Sequence, residues 1–389
     1  MELDALPLLP NGKIDRHALL ALDISNSSAP ASRTAPRDIL EMQLVLIWEE
    51  VLRCQPIGVT DNFFDLGGHS LTAVSLTRAI KEHFDKDLPV AALFQAPTIE
   101  QLAAVLRESY DWPLSPLIPI RTAGTGVPMF WIHPVGGHVL CYMPLVHHLP
   151  DDQPVYTLQS PGLYDGQPCY DSIPAMAQRY IQEIRKVQPE GPYMLGGWSM
   201  GGIVAFEMSQ QLTKQGQEVR LLTLIDSWRP DRTSSLEDET EDALLASFLT
   251  DIAAIFEKDV SEFGDLASLP PQARMSAAVE AAKQLRIFPE GIDAAYIQAL
   301  FNVFKNNRFA MNHYAPQPYA GDILLFQASD QPEQHREPAL GWASVSQGKL
   351  ESCIVPATHY TLLREPAVTA LGERLAQCVI ELDLRNAKQ

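Results

Sequence analysis

Residues 193–210 read YMLGGWSMGGIVAFEMSQ, and the turn in their middle decides the fold. The apolar run YML (193–195) is strand-like, Gly197-Trp198-Ser199-Met200-Gly201 follows it directly, and the apolar stretch IVAFEMSQQL after that is helical. A G-x-S-x-G sequence between a strand and a helix is a nucleophile elbow, in which small flanking residues let a strained turn lift the serine hydroxyl clear of the sheet. Composition alone would produce such a pattern in fewer than about one chain in ten of this length, and the strand-turn-helix setting narrows the odds further.

Strand-like runs continue on both sides of the elbow, at 127–132 (VPMFWI), 154–158 (PVYTL), 219–225 (VRLLTLI), 322–327 (DILLFQ) and 350–355 (LESCIV). Amphipathic helices lie between several of them, one marked by Ile173, Met176, Tyr180, Ile181, Ile184 and Val187 at helical spacing. Such alternation predicts a mostly parallel sheet covered on both faces. It stops between about 229 and 318, where a long helical stretch begins with the acidic run LEDETED (236–242), the pattern of an inserted lid.

Upstream the chain divides twice. ISNSSAPASRTAPR (24–37) has a linker composition, and DWPLSPLIP (111–119) carries three prolines that interrupt regular structure. The segment between reads as a small helix bundle. One apolar stripe runs through Leu40, Leu44, Ile47, Trp48, Val51 and Leu52, and another through Leu76, Ile80 and Phe84. Thr98 with Gln101 forms a capping box ahead of Ile99, Leu102 and Leu106.

With 29 Lys and Arg against 48 Asp and Glu, the 389-residue chain has a net charge of −19, which argues against a nucleic-acid partner. No apolar run reaches the roughly 18 residues of a membrane span, and no basic, then apolar, leader opens the chain; a cytoplasmic protein is expected. Cys54, Cys141, Cys169, Cys353 and Cys378 are scattered without CxxC spacing, which indicates neither a disulfide framework nor a metal site.

Ser199 needs a base to take its proton and an acid to orient that base. His359, in the loop PATHYT beyond the last strand, completes the chain order Ser, Asp, His. Two aspartates compete as the acid: Asp226 ends the strand VRLLTLI, and Asp330 follows the strand DILLF one crossover later. Both would lie at the C-terminal edge of the sheet, and geometry alone leaves the choice open. The oxyanion of a tetrahedral intermediate would face the N–H of Met200 and a second donor from His133-Pro134-Val135-Gly136-Gly137. Pro134 has no N–H, so Val135 is the nearer donor; His133 reads as structural.

A second motif, Asp61-Asn62-Phe63-Phe64-Asp65-Leu66-Gly67-Gly68-His69-Ser70-Leu71, ends a glycine turn on a serine at a helix start. Ser70 there serves either as an N-cap or as the anchor of an anionic phosphodiester at the positive end of the helix.

FFDLGGHSL resembles the 4'-phosphopantetheine attachment motif of peptidyl carrier domains in nonribosomal peptide synthetases, with Ser70 as the modified residue; the family accepts either His or Asp before that serine. LPLLPNGKIDRHAL (6–19) resembles the C-terminal end of an adenylation domain, whose motif lysine would be Lys13. The rest of that domain is missing, so the resemblance implies a chain excised from a longer synthetase. HPVGG, GWSMGG, the strand running into Asp226, and HYTLL resemble, in order, the thioesterase that ends such assembly lines. In that family the acid follows the strand next to the nucleophile helix, which favours Asp226 over Asp330.

The resemblance implies an adenylation-domain tail at 1–22, a linker at 23–36, a carrier domain at 37–110, a linker at 111–116 and a thioesterase at 117–389 with its lid at about 229–318. The expected fold is thus multi-domain, a small all-α carrier bundle followed by an α/β-hydrolase with a helical lid. The implied activity is that of a serine thioesterase: a peptidyl chain passes from phosphopantetheine on Ser70 to Ser199, with His359 and Asp226 as base and acid, and is released by hydrolysis or macrocyclisation. Implied partners are upstream adenylation and condensation domains, a phosphopantetheinyl transferase and the peptidyl thioester. Two alternatives are a didomain ending a polyketide or hybrid line, and an inactive docking scaffold.

Overall fold

The computed structural model describes residues 34–107, 115–163, 167–230, 240–255, 258–264, 266, 269, 271–285, 294–331 and 337–386. The adenylation-like leader with Lys13, most of both linkers and the start of the acidic run lie outside the described residues.

The helices expected between the linkers are present as α1 (Ile39–Leu52), α2 (Ser70–Phe84) and α4 (Ile99–Arg107), with a short α3 (Ala92–Gln95) that the apolar spacing does not announce. Asp38 caps α1 by accepting the Glu41 N–H at 2.9 Å, and the predicted capping box opens α4, Thr98 and Gln101 exchanging hydrogen bonds of 3.3 Å. Leu44, Trp48, Phe63, Leu76, Ile80 and Leu102 are buried between the helices, and the Trp48 and Phe63 rings meet edge to face at 5.2 Å.

Among the described residues seven strands follow: β1 (Leu117–Arg121), β2 (Met129–Ile132), β3 (Val155–Leu158), β4 (Tyr193–Trp198), β5 (Val219–Ile225), β6 (Ile323–Asp330) and β7 (Leu350–Thr358). They lie in the order β1-β3-β2-β4-β5-β6-β7 and pair in parallel, except that β1 runs antiparallel to β3. The period-2 rule sorts the side chains. Met129 and Trp131 of β2, Ile225 of β5 and Phe326 of β6 join one core, while Phe130, Ile132, Leu224 and Leu325 join the other. The first core is closed by α5 (Met143–His147) and α11 (Ala367–Asn386), the second by α6 (Ile173–Ile184) and α7 (Met200–Lys214).

Strand β1 is absent from the sequence reading because the proline-rich stretch 111–119 reads as linker. Pro119 is tolerated since β1 is an edge strand, where one missing N–H leaves no ladder acceptor unpaired inside the sheet.

Between β5 and β6 the described residues form three α-helices, α8 (Glu241–Ile255), α9 (Pro271–Gln284) and α10 (Ala294–Asn312). They share their own apolar cluster, in which Phe248 lies 5.5 Å from both Phe301 and Phe304. Leu71 of α2 enters that cluster beside Leu245, Phe248 and Ile252, so the helical bundle leans on the insertion.

His133, at the end of β2, is fully buried. Its Nδ1 lies 2.8 Å from the Pro134 carbonyl, which can only accept; Nδ1 therefore carries the proton, and Nε2 accepts the Tyr180 hydroxyl at 2.7 Å. Burial pushes its pKa down to about 4. A histidine neutral when folded and basic when unfolded takes up a proton on unfolding, so stability falls as pH drops from about 6.5 toward 4, by roughly 3 kcal/mol for this residue. Urea titrations across that range are expected to show a shallower decline in His133→Asn than in the parent chain; equal slopes would mean that His133 is protonated in the folded state.

Candidate active site

The elbow is built by close backbone approach. A Cβ on Gly197 would lie 2.0 Å from the Gly201 carbonyl carbon, and one on Gly201 2.2 Å from the Ile132 carbonyl oxygen, so the turn between β4 and α7 closes only with glycine at both places. Ser199 sits at φ 56° and ψ −125°, a conformation that L residues occupy at a cost. Hydrogen bonds hold it there: Ser199 N–H donates to Ile225 O (2.9 Å), and Ser227 Oγ donates to Ser199 O (2.7 Å). The buried Tyr142 hydroxyl bridges the same turn to β2, accepting the Trp198 N–H (2.8 Å) and donating to Ile132 O (2.5 Å).

Asp226 follows β5 with φ 41° and is fully buried. Its Oδ1 accepts the Ala328 N–H (2.8 Å) and the Gln331 side-chain amide (2.6 Å), and its Oδ2 accepts His359 Nδ1 (2.7 Å). Since an ionised carboxylate only accepts, His359 carries its proton on Nδ1 and leaves Nε2 free to receive one. The imidazole is also held through its faces: Trp228 stacks on it at 4.6 Å and 23°, and Trp198 lies tilted at 5.0 Å. Asp330, the other contender, is the exposed last residue of β6 and forms no hydrogen bond with His359.

Ser199 and His359 line one cavity of about 660 Å³, without a hydrogen bond between them. Val135 lines it too. The buried Asn307 of α10 donates to the Val135 carbonyl at 2.8 Å, which fixes the peptide plane of that loop. Met200 is the first residue of α7, so its N–H belongs to the helix end that has no intrahelical acceptor. A serine hydroxyl, an imidazole oriented by a carboxylate, and two candidate N–H donors beside one cavity form a set suited to acyl transfer.

Ser70 and Leu71 line the same cavity, so the structure brings both candidate serines to one space. The N-cap of α2 is His69, whose N–H donates to Thr72 Oγ1 at 2.8 Å; Ser70 is the first helical residue rather than the cap. Its hydroxyl makes no hydrogen bond among the described residues, and it stands at the helix start, where N–H groups lack intrahelical acceptors. A second cavity, of about 570 Å³ and lined by Cys169, Leu244 and Asn306, holds none of these residues.

Tyr142, Trp228, Asn307 and Gln331 escape the motif reading. Asn307 was within reach of it, because it falls on the stripe of Leu300, Phe301, Phe304 and Met311 that periodicity buries, where a polar residue must find a partner.

Residues 127–377 match the thioesterase domain family, and residues 43–106 match the phosphopantetheine attachment site family. The chain is 34% identical over 383 residues to the dimodular nonribosomal peptide synthase of Bacillus subtilis (strain 168), covering 97% of this chain and 16% of that one. It is 36% identical over 387 residues to malpinin synthetase of Mortierella alpina, covering 97% and 4% respectively. It thus spans a small fraction of the length of either relative. Among solved structures it is similar to holo-AB3403, a four-domain nonribosomal peptide synthetase bound to AMP and glycine, at 33% identity and a TM-score of 0.66, over 96% of this chain and 28% of that one.

Replacing Tyr142 by Phe would leave the Trp198 N–H and Ile132 carbonyl buried and unpaired. Tyr142→Phe is expected to cost roughly 1–3 kcal/mol in urea unfolding; an unchanged midpoint would mean that the bridge does not support the elbow.

Proposed function

Because the chain belongs to the thioesterase domain family and carries a phosphopantetheine attachment domain ahead of it, as nonribosomal peptide synthetases do, we propose that it unloads a peptidyl chain from Ser70 through a covalent ester on Ser199. The observation that carries this reading is the single cavity lined by Ser70, Ser199 and His359, with Asp226 buried behind the imidazole.

The phosphopantetheine arm, when bound to Ser70, supplies the acyl group as a thioester. His359 Nε2 takes the Ser199 hydroxyl proton as Oγ attacks the acyl carbon, and Asp226 stabilises the imidazolium that forms. The Val135 and Met200 N–H groups receive the developing oxyanion. His359 then returns its proton to the departing thiol. In the second half, His359 takes a proton from water, or from an amine or hydroxyl of the bound chain, as that atom attacks the acyl carbon, then gives the proton to Ser199 Oγ as the ester bond breaks, releasing a linear acid or a ring. Because both serines belong to one chain, delivery is intramolecular, and the contact made by Leu71 need not be tight.

We assign residues 37–110 to the carrier and 117–389 to the thioesterase, with the helices between about 229 and 318 as its lid. A phosphopantetheinyl transferase loads Ser70, and upstream condensation and adenylation domains supply the peptide. Among the described residues no helix is long and apolar enough to cross a membrane. We place the protein in the cytoplasm, in keeping with the absence of disulfides among its described cysteines.

Loading with a labelled peptidyl arm followed by intact-protein mass spectrometry tests the sequence of events. Ser70→Ala is expected to gain no arm; Ser199→Ala is expected to load normally and keep its peptide. Turnover by Ser199→Ala above the residual oxyanion-hole level, or loading of Ser70→Ala, would overturn the respective assignment.

The acid is tested separately. Asp226→Asn keeps the size of the side chain but loses the charge that pairs with the imidazolium, and is expected to lower single-turnover deacylation by about 10⁴. Asp330→Asn is expected to leave it unchanged. A reversal of the two effects would exchange their roles.

A further inference from the structure

Two hydrogen bonds tie the lid helix α8 to the turn that carries His359. The Tyr360 hydroxyl donates to Asp251 Oδ1, and the Arg364 guanidinium donates to the Ile255 carbonyl. Donors and acceptors are each four residues apart, so the ties lie one helical turn from each other along α8. Tyr360 follows His359 directly, and their rings meet edge to face at 5.1 Å.

Asp251 is the acidic residue of an otherwise apolar helical face, next to Ile252 and one turn from Phe248, and it lines the cavity that holds Ser199 and His359. Burial raises the Asp251 carboxyl, and the Tyr360 hydroxyl that donates to it, together with the Arg308 charge nearby, works in the other direction. Burial raises the Tyr360 hydroxyl, so the phenol keeps its proton and goes on donating throughout the neutral range. His359 is thus restrained from three sides. Asp226 holds Nδ1, the Trp198 and Trp228 rings hold its faces, and the lid holds the backbone next to it through Tyr360.

We propose that Tyr360 and Asp251 are a positioning pair, whose hydrogen bond seats the His359 turn against the lid so that the imidazole is aligned for proton transfer while the lid is in place. This rests on His359 being the base in the reading above. Both residues also line the cavity, but Tyr360→Phe keeps the ring that faces it and removes only the hydroxyl, so in that variant the loss of alignment is read in the rate constant for deacylation rather than in KM.

The experiment uses the full chain with a small peptidyl thioester as probe, and follows deacylation in single turnover together with KM and the urea midpoint. Tyr360→Phe and Asp251→Ala are each expected to slow deacylation by about tenfold or more, the equivalent of one hydrogen bond to a charged group, with KM in Tyr360→Phe changed by less than about twofold. The double variant is expected to be no slower than either single one, because the second change removes nothing further. Asp251→Asn, which keeps an acceptor for the phenol, is expected to recover to within about threefold of the parent rate.

Parent-like deacylation in Tyr360→Phe, additive losses in the double variant, or an Asp251→Asn as slow as Asp251→Ala would each overturn the pair. A fall in the urea midpoint that accounts for the lost rate through the unfolded fraction would overturn it as well. His359→Ala run alongside separates the two readings. Full turnover there would remove His359 as the base, whereas an inactive His359→Ala beside a parent-like Tyr360→Phe removes the positioning pair alone.

Discussion

The carboxylate of Asp226 has no access to solvent, and a buried charge is tolerated only when donors surround it. Its donors come from three separate places in the chain: the Ala328 N–H in β6, the Gln331 amide just after it, and the imidazole of His359 beyond β7. Satisfying this one side chain therefore fixes how β5, β6 and the turn after β7 end relative to one another. The requirement is structural before it is chemical. It leaves the proton of His359 on Nδ1 and turns Nε2 away from the carboxylate, whatever reaction the cavity serves.

The elbow answers a different constraint. The positive φ of Ser199 is a local cost of the order of 1–3 kcal/mol, and the surroundings offset it with bonds from three neighbours: β5 through Ile225, the loop after it through Ser227, and Tyr142 at the adjoining Trp198. Gly197 and Gly201 allow the backbones to approach closely enough for those bonds to form. The motif is thus the visible part of a larger arrangement, in which a strained residue persists because two strands and a buried tyrosine over-determine its position.

What could be read in the sequence follows from which interactions are local. Six strands and the main helices were legible because burial on the two faces of a sheet, or on one side of a helix, imposes a period that survives in the chain. Strand β1 was hidden because Pro119 is a strand breaker in the interior and permissible only at an edge, and edge position is a property of the assembled sheet. The two aspartates could not be separated by periodicity either. The pairing of Ile225 with Phe326 shows where the sheet ends beside Asp226, whereas β6 runs on to Asp330, into the solvent beside Thr358. How far a strand outlasts its neighbour is set by register, which no single segment contains. The same holds for Trp228, Gln331 and Asn307, whose partners lie far from them in sequence.

The histidines show how environment, rather than residue type, divides the labour. His133 and His359 each end a segment at the same edge of the sheet, and each has both ring nitrogens in a polar setting or at a cavity. His133 is bonded to a carbonyl and a phenol, neither of which carries charge, and burial therefore pushes it toward the neutral form, to about 4. His359 has a carboxylate at Nδ1 and the Trp198 and Trp228 rings against it, so its surroundings set the orientation of the ring. An imidazolium formed at His133 would bear the full cost of desolvation with no counter-charge beside it. Only His359 of the two faces a carboxylate and the cavity, whereas His133 binds α6 to the end of β2.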